Sequence, residues 1–324
     1  MKVTPLSAAL GVERPIWNAG LGASIAGPEL AAAVSEAGGL GVLGMGGMTA
    51  EVVERSIAEV RSLTARPFGV NLILPLLEEG SVETALNARV PLLVFFWGDA
   101  SPHVATAHEV GTKVAVQCGS VEEAVEAVQG GVDVVIMQGV EAGGHVRGTT
   151  SMSVLVASTV DAVGDVPVVA SGGIADARGV RAALDLGAQA VSLGTRFLCS
   201  HQATALQEYK ERVVAARASD TVHTTLFGVG WPHVPHRVLR NSAYRDWEAA
   251  GRPEIDMEND RDVVGTMLVA GEPVELPRYA ILPPQPGFSG DIDQIALYAG
   301  QSCALINDIA DAGDIVRELC RDLD

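Results

Sequence analysis

The segment Val166-Pro167-Val168-Val169-Ala170-Ser171-Gly172-Gly173-Ile174-Ala175-Asp176 decides the fold. It runs from a short apolar stretch, too brief for a buried helix, through two glycines to an aspartate placed to cap a helix. That is one strand-turn-helix unit. The helix predicted after it starts at Asp176 and stops at Gly187, with Ala182, Ala183 and Leu186 facing inward.

Seven further segments of the same kind precede or follow it: Pro15 to Ala19, Leu40 to Leu43, Phe68 to Leu74, Pro91 to Phe96, Lys113 to Gln117, Val132 to Met137, and Ala190 to Leu193. Most of their positions are apolar, as strands covered on both faces require. Helix signals lie between them. Pro28 opens one helix, Pro102 after Ser101 another, and Ser120 with Glu123 forms a capping box ahead of Val121, Ala124, Val125 and Val128. Eight βα units in succession predict an α/β protein, a (β/α)8 TIM barrel, with an open doubly wound sheet as the alternative.

After Phe197 the rhythm changes. A helical stretch near Thr204 to Arg217 precedes a segment from Asp220 to Gly290 rich in Pro, Gly, His and charge, which reads as a small helical lid or second domain. The tail from Asp293 to Leu323 regains apolar periodicity and is expected to pack back as helices. The predicted division is a barrel over 1–200, a lid or substrate subdomain over 201–290, and a returning helical segment over 291–324.

Composition excludes several classes. Of 324 residues, 22 are basic and 40 acidic, a net charge of -18 that speaks against nucleic acid as a partner. Hydrophobic residues make up 48%, enough for a sizeable core. Cys118, Cys199, Cys303 and Cys320 are scattered without a C-x-x-C pair, which favours a reducing, cytoplasmic setting over a disulfide framework or a cysteine zinc site. Met1 to Ala9 lacks the pattern of a secretory signal, and no apolar run reaches membrane-spanning length, so no membrane partner is expected. A homo-oligomer is neither indicated nor excluded.

In such barrels chemistry sits at the carboxyl ends of the strands, with phosphate held after the seventh and eighth. Those ends here are Ser171-Gly172-Gly173-Ile174 and Ser192-Leu193-Gly194-Thr195-Arg196, two rims of small residues whose backbone N–H groups suit a phosphate. Arg196 could pair with phosphate or with a carboxylate. By contrast, Gly39-Leu40-Gly41-Val42-Leu43-Gly44 spells G-x-G-x-x-G but runs through a predicted strand, so it fails the context of a dinucleotide fold. The sixth strand ends in Gln138-Gly139-Val140-Glu141-Ala142-Gly143-Gly144-His145-Val146-Arg147-Gly148, where glycines surround an imidazole that titrates near neutral pH. Asn71 and Gln117 are amides within apolar runs that need partners if buried. His233 and His236 lack the neighbours of a metal site, so no metal is expected, and Asp99 suits a strand terminus as well as a reactive group.

These three segments, Gln138 to His145, Ser171 to Asp176 and Leu193 to Phe197, resemble the nitronate monooxygenase family, formerly called 2-nitropropane dioxygenases. Flavin-dependent enoyl-ACP reductases share much of the pattern. The resemblance resumes at Leu297-Tyr298-Ala299-Gly300-Gln301-Ser302. It implies an FMN-binding barrel: Asn71, Gln138 and Gly143 would contact the flavin, Gly173, Ser192, Leu193, Gly194 and Thr195 its phosphate end, and Ala19, Gly20 and Leu21 the ring, while His145 matches the active-site histidine. Three stretches depart from the family. Trp17 to Gly22 replaces an Ala-Pro-Met type turn, Val146 separates His145 from Arg147-Gly148, and Phe95 to Asp99 lacks the usual Phe-x-x-Gly turn.

The implied activity is FMN-dependent oxidation of small alkyl nitronates, with nitroalkanes as further candidates, by dioxygen. Two rivals remain at this point: an NAD(P)H-dependent flavin reductase acting on quinones or enoyl thioesters, and a flavin-binding barrel without turnover.

Overall fold

A computed structural model describes residues 3–257, 262–269, 272–321 and 323. All eight predicted strands form: β1 (Ile16–Asn18), β2 (Gly41–Gly44), β3 (Phe68–Ile73), β4 (Leu92–Phe96), β5 (Lys113–Cys118), β6 (Val134–Gln138), β7 (Val168–Ser171) and β8 (Ala190–Leu193). They pair in parallel in the order β1-β8-β7-β6-β5-β4-β3-β2, and helices cover their outer face. This is the (β/α)8 barrel.

The seam between β1 and β2 closes the cylinder with few backbone bonds. Leu40 N–H donates to the Ile16 carbonyl at 2.9 Å, and Trp17 bridges to Leu40. Beyond that point a side chain replaces the ladder. Asn18 Nδ2 donates to the Val42 carbonyl at 2.8 Å while its Oδ1 accepts from Val42 N–H at 2.9 Å. The glycines of the G-x-G-x-x-G segment meet backbone on both sides: a Cβ on Gly39 would lie 2.5 Å from the Ile16 carbonyl oxygen and on Gly44 2.0 Å from that of Leu21, beside β1, while on Gly41 it would lie 1.8 Å from that of Ala31 in the helix Pro28–Glu36. Close packing of backbone, not phosphate, requires them.

Inside the barrel Trp17, Val94, Ile136 and Val169 form a core with Leu6 and Leu10 of the short helix Pro5–Leu10. Local signals act largely as expected. Pro28 opens the helix Pro28–Glu36, and Asp176 accepts from the N–H groups of Arg178 and Gly179 at the start of Ala177–Asp185. The helix ahead of Gln129 carries half a capping box: Ser120 Oγ accepts from Glu123 N–H, but the Glu123 carboxylate takes Gly119 N–H instead of that of Ser120. One inward assignment is corrected. Ala182 is exposed, and Ala177, Val180 and Ala183 form the buried face.

Between Thr221 and Gly290 the appendage contains strands as well as helix. β9 (Thr221–Thr224) and β10 (His236–Leu239) form a sheet with the two-residue strand Gly144–His145, while β11 (Val263–Val269) lies between β12 (Glu272–Pro277) and Ser289–Gly290 and pairs with both. Helix expected there is confined, among the described residues, to Ser242–Ala249. The alternating patterns are short and interrupted by Pro and Gly, so the chain shows no repeating period. The tail returns through the 3-10 turn Gln301–Leu305 and the helix Ala312–Leu319. Among the described residues no helix is long and apolar enough to cross a membrane.

Asn18 is fully buried, so Asn18→Ala strands the Val42 N–H and C=O without partners. Urea denaturation should show a loss of about 2–4 kcal/mol. A loss below about 1 kcal/mol would mean that the seam closes without this clamp.

Candidate active site

A cavity of about 530 Å³ opens at the carboxyl end of the barrel. Asn71, Gln138, Gly143, His145, Gly173, Ser192, Leu193, Gly194 and Thr195 all line it, as do Ala19, Gly20, Leu21 and Gln117. The fold therefore gathers these residues around one cavity. Asp99, Arg196, His233 and His236 lie outside the lining.

Three of the four have structural partners, and His233 is exposed. Asp99 caps the helix Ser101–Glu109, accepting from Ser101 N–H and Oγ, and those bonds hold its carboxyl below the usual range. Arg196 is buried and donates to the Asp308 carbonyl at 3.0 Å and carboxylate at 2.7 Å, so the open choice resolves in favour of a carboxylate. His236 is fully buried with both nitrogens engaged: Nδ1 lies 2.9 Å from the Val234 carbonyl, and Nε2 accepts from Phe227 N–H. This fixes the neutral tautomer protonated at Nδ1.

The rims at the ends of β7 and β8 present free donors. The N–H groups of Gly172, Gly173 and Gly194 donate to no protein acceptor among the described residues. Gly172 and Gly173 have φ values of +92° and +74°, a conformation that turns successive amides toward one concavity. Thr195 differs from expectation in one respect: its Oγ1 accepts from Gly300 N–H at 3.0 Å and so ties the returning tail to the rim. At the opposite side Gly20 presses on Asn71, where a Cβ would lie 2.3 Å from the Asn71 Cβ. Asn71 Nδ2 donates to the Val94 carbonyl at 3.1 Å.

The loop after β6 is clamped at several points. Glu141 caps the helix Met152–Val163 through Met152 N–H, and its backbone carbonyl accepts from Gln301 N–H. Gly143 and Gly300 cross so closely that a Cβ on Gly143 would lie 2.3 Å from the Gly300 nitrogen. His145 pairs in register with His236 of β10, and Gln138 Nε2 donates to the His145 carbonyl at 3.0 Å. At this loop two buried polar atoms, Gln138 Oε1 and His145 Nε2, are without protein partners among the described residues, and Trp17 Nε1 is a third on the cavity lining. All three belong to residues of the cavity wall.

The imidazole of His145 stands among aromatic rings, with centroids of Trp231 at 4.7 Å, Tyr298 at 5.4 Å and His236 at 5.6 Å. Burial, aided by His236, pushes its pKa down to about 3. Burial likewise pushes His236 down to about 4, with the Val234 carbonyl opposing the shift. At neutral pH His145 is thus an uncharged imidazole. Arg147, two residues on, does not join it: Nε contacts Glu123 at 2.5 Å and the guanidinium lies over Trp97 at 5.5 Å.

Sequence reading missed Asn18, Trp231, Tyr209 and Glu78, and Tyr298 entered it only within the Leu297 to Ser302 motif. Trp231 sits in the Pro- and His-rich appendage, where no periodicity marks a cavity-facing side chain. Tyr209 donates from its hydroxyl to the Tyr298 carbonyl, and Tyr298 in turn to the Ile281 carbonyl. That chain of bonds holds the appendage to the barrel mouth.

A family model described as nitronate monooxygenase matches residues 3–88 and 76–322. A nitronate monooxygenase of Pseudomonas aeruginosa is 32% identical over 97% of this chain and 97% of its own. The (3aS,4S,5R,7aS)-5-hydroxy-7a-methyl-1-oxo-octahydro-1H-indene-4-carboxyl-CoA dehydrogenase of Mycobacterium tuberculosis is 35% identical over 77% of this chain and 69% of its own. The structure of FabK from Thermotoga maritima is similar at a TM-score of 0.83 and 33% identity, covering 99% of this chain and 96% of that one.

Burial lowers the pKa of three histidines; the large shifts of His145 and His236 set the acid limit of folding, and His223 adds to it. A histidine of lowered native pKa stays neutral in the fold while the unfolded chain protonates it below about pH 6.5, so stability is full above that pH and declines as pH falls toward the native values. Between about pH 6.5 and 5, before the carboxylates titrate, His145 and His236 should each contribute a slope approaching about 1.4 kcal/mol per pH unit. Urea titrations across that window should show the decline, and His236→Gln should reduce its slope by about a third to a half, His223 and His145 supplying the rest. A flat profile would place the imidazoles of His145 and His236 in contact with water.

Proposed function

Because this chain belongs to the nitronate monooxygenase family, an oxidoreductase family, we propose that it uses FMN to oxidise small alkyl nitronates, and nitroalkanes where their α-proton can be removed, with dioxygen. The observation that carries the reading is the neutral His145, with its buried Nε2 unpartnered on the wall of the cavity.

The residues present fit a flavin. Gln138 Oε1 and Trp17 Nε1, both on lining residues, are buried polar atoms without protein partners among the described residues, and a heteroaromatic ring with alternating donors and acceptors would satisfy such atoms. Gly20 and Gly143 let segments of the wall pack on one another, Gly20 against Asn71 and Gly143 against Gly300. The unengaged amides of Gly172, Gly173 and Gly194, with Ser192 and Thr195 beside them, suit one phosphate. Among the described residues the lining holds no lysine or arginine, which favours FMN over a dinucleotide with further charge to neutralise.

When bound, the flavin supplies electron acceptance and reaction with dioxygen. The chain's own contribution is position and field. An uncharged His145 can donate one hydrogen bond to a nitronate oxygen, or accept the α-proton of a neutral nitroalkane; the second role is typically worth about 10²–10⁴-fold. Trp231, Tyr298 and His236 fix the ring and exclude water from it. Tyr298 keeps its phenolic proton because burial pushes its pKa up, and it spends that proton on the Ile281 carbonyl.

A second reading, an NAD(P)H-dependent reductase of quinones or enoyl thioesters, is favoured by the similarity to the coenzyme A ester dehydrogenase. The two separate by anaerobic stopped flow. Ethylnitronate should bleach the flavin rapidly and NADH or NADPH hardly at all; slow reduction by every nitronate would remove the leading reading. His145→Ala should retain flavin and lose about 10²–10⁴-fold in the reductive step, most with neutral nitroethane. An unaltered rate in that variant would leave the histidine without a chemical role.

A further inference from the structure

Trp97, the first residue past β4, has a backbone φ of +68°, in the left-handed region that bulky side chains rarely adopt. Glycine would sit there without strain. The indole is only half-buried and lies outside the cavity lining, so this ring neither fills the core nor touches a ligand in the cavity. An aromatic side chain kept on a strained turn next to a site points to a role in that site.

The contacts of Trp97 show which role. Its ring meets Trp231 edge-on, with centroids 5.1 Å apart and planes at 68°. Trp231 lines the cavity and lies on His145 at 4.7 Å, so it is the ring common to both. The other two rings beside His145 are pinned by hydrogen bonds, His236 at both nitrogens and Tyr298 through its hydroxyl to the Ile281 carbonyl. The Trp231 indole makes ring contacts but no hydrogen bond among the described residues, so packing keeps it against the imidazole. Trp97 is itself held by a cation. The Arg147 guanidinium lies over its ring at 5.5 Å and is tethered to Glu123 at 2.5 Å, while Glu123, in the helix Val121–Gln129, also accepts from Gly119 N–H at 2.7 Å. Two of the three departures from the family pattern, Phe95 to Asp99 and Val146 ahead of Arg147, thus meet in one contact.

We propose that Trp97 is a positioning residue: clamped by Arg147, its ring backs Trp231 and keeps that indole closed over His145. Without the backing Trp231 is free to leave the imidazole, and water enters the corner. The consequence for rate rests on the reading of His145 as the reacting group, whereas the shielding of the imidazole does not.

The test uses Trp97→Gly, which removes the ring while suiting the backbone at φ +68°, and Trp97→Phe, which returns a ring. Each holoprotein is treated with diethyl pyrocarbonate at neutral pH, and modification of His145 and of the fully buried His236 is followed by peptide mass spectrometry. Relative to His236, His145 should react at least about tenfold faster in Trp97→Gly and within about twofold of the unaltered protein in Trp97→Phe. Arg147→Met, which removes only the cation, should give about threefold. A rate at His145 unmoved in Trp97→Gly, or raised equally at His236 as general loosening would raise it, overturns the proposal. Ethylnitronate and nitroethane are then tried as anaerobic reductants. If ethylnitronate bleaches the unaltered protein, reduction by nitroethane, which needs the imidazole as base, should slow at least about tenfold in Trp97→Gly and recover in Trp97→Phe. An undiminished rate there also overturns the proposal. If no nitronate bleaches the flavin, the oxidation reading falls and the modification rates alone decide whether Trp97 holds the wall.

Discussion

Closure of the cylinder depends on one buried amide. β1 is three residues long and meets β2 through a single bridge, after which Asn18 reproduces with its side chain the donor and acceptor that a further strand residue would have offered. Buried backbone groups must be paired, and here the two groups of Val42 are paired by a side chain. The seam can approach this closely because Gly39 and Gly44 carry no Cβ, and Gly41 does the same for the helix Pro28–Glu36. Once β1 is locked, Ala19, Gly20 and Leu21 emerge over the mouth and press on Asn71 from β3. One side of the cavity is thus a by-product of closure.

The opposite side is made by the chain beyond the barrel. β10 adds a strand to Gly144–His145, and Gly143 and Gly300 cross with backbone against backbone. Tyr209, Tyr298 and Ile281 link by hydroxyl-to-carbonyl bonds. Together these contacts take a glycine-rich loop, which by itself would be free to move, and hold its imidazole in a dry aromatic corner. The low proton affinity of His145 follows from that placement, since desolvation is its largest cause and His236 adds to it. The same dryness that tunes the group for neutral chemistry costs the fold stability in acid.

Periodicity and punctuation exposed the barrel because they are local. Runs such as Val168–Ser171 and Ala190–Leu193 are apolar on both faces, and each is followed within a few residues by Gly, Asp or Thr. The candidate site was legible for the same reason: barrel chemistry collects at strand ends, and Gln138, Gly173, Gly194 and His145 lie on or just past them. Where a residue's partner is distant in sequence the reading stayed open or erred. Arg196 finds Asp308, 112 residues away, and nothing near Arg196 distinguishes a carboxylate from a phosphate. Ala182 was assigned inward by helical spacing, but the buried stripe is displaced to Val180 and Ala183. The strands of the appendage carry no strand-helix rhythm: Thr221–Thr224 and His236–Leu239 are four residues each, and Gly265 interrupts the alternation in Val263–Val269.

By itself, then, the amino-acid order determined the number and kind of barrel units, the location of the glycine rims and the presence of an imidazole beside them. Those are properties of contiguous residues, set by backbone preference and apolar spacing. Tertiary structure decided what each group can do. It turned Asp99 and Glu141 into helix caps, His236 into a satisfied neutral ring, and Arg147 into a partner of Glu123 and Trp97. It left His145 Nε2 and Gln138 Oε1 unpaired on the cavity wall, because solvation and hydrogen bonding depend on neighbours that only folding brings together.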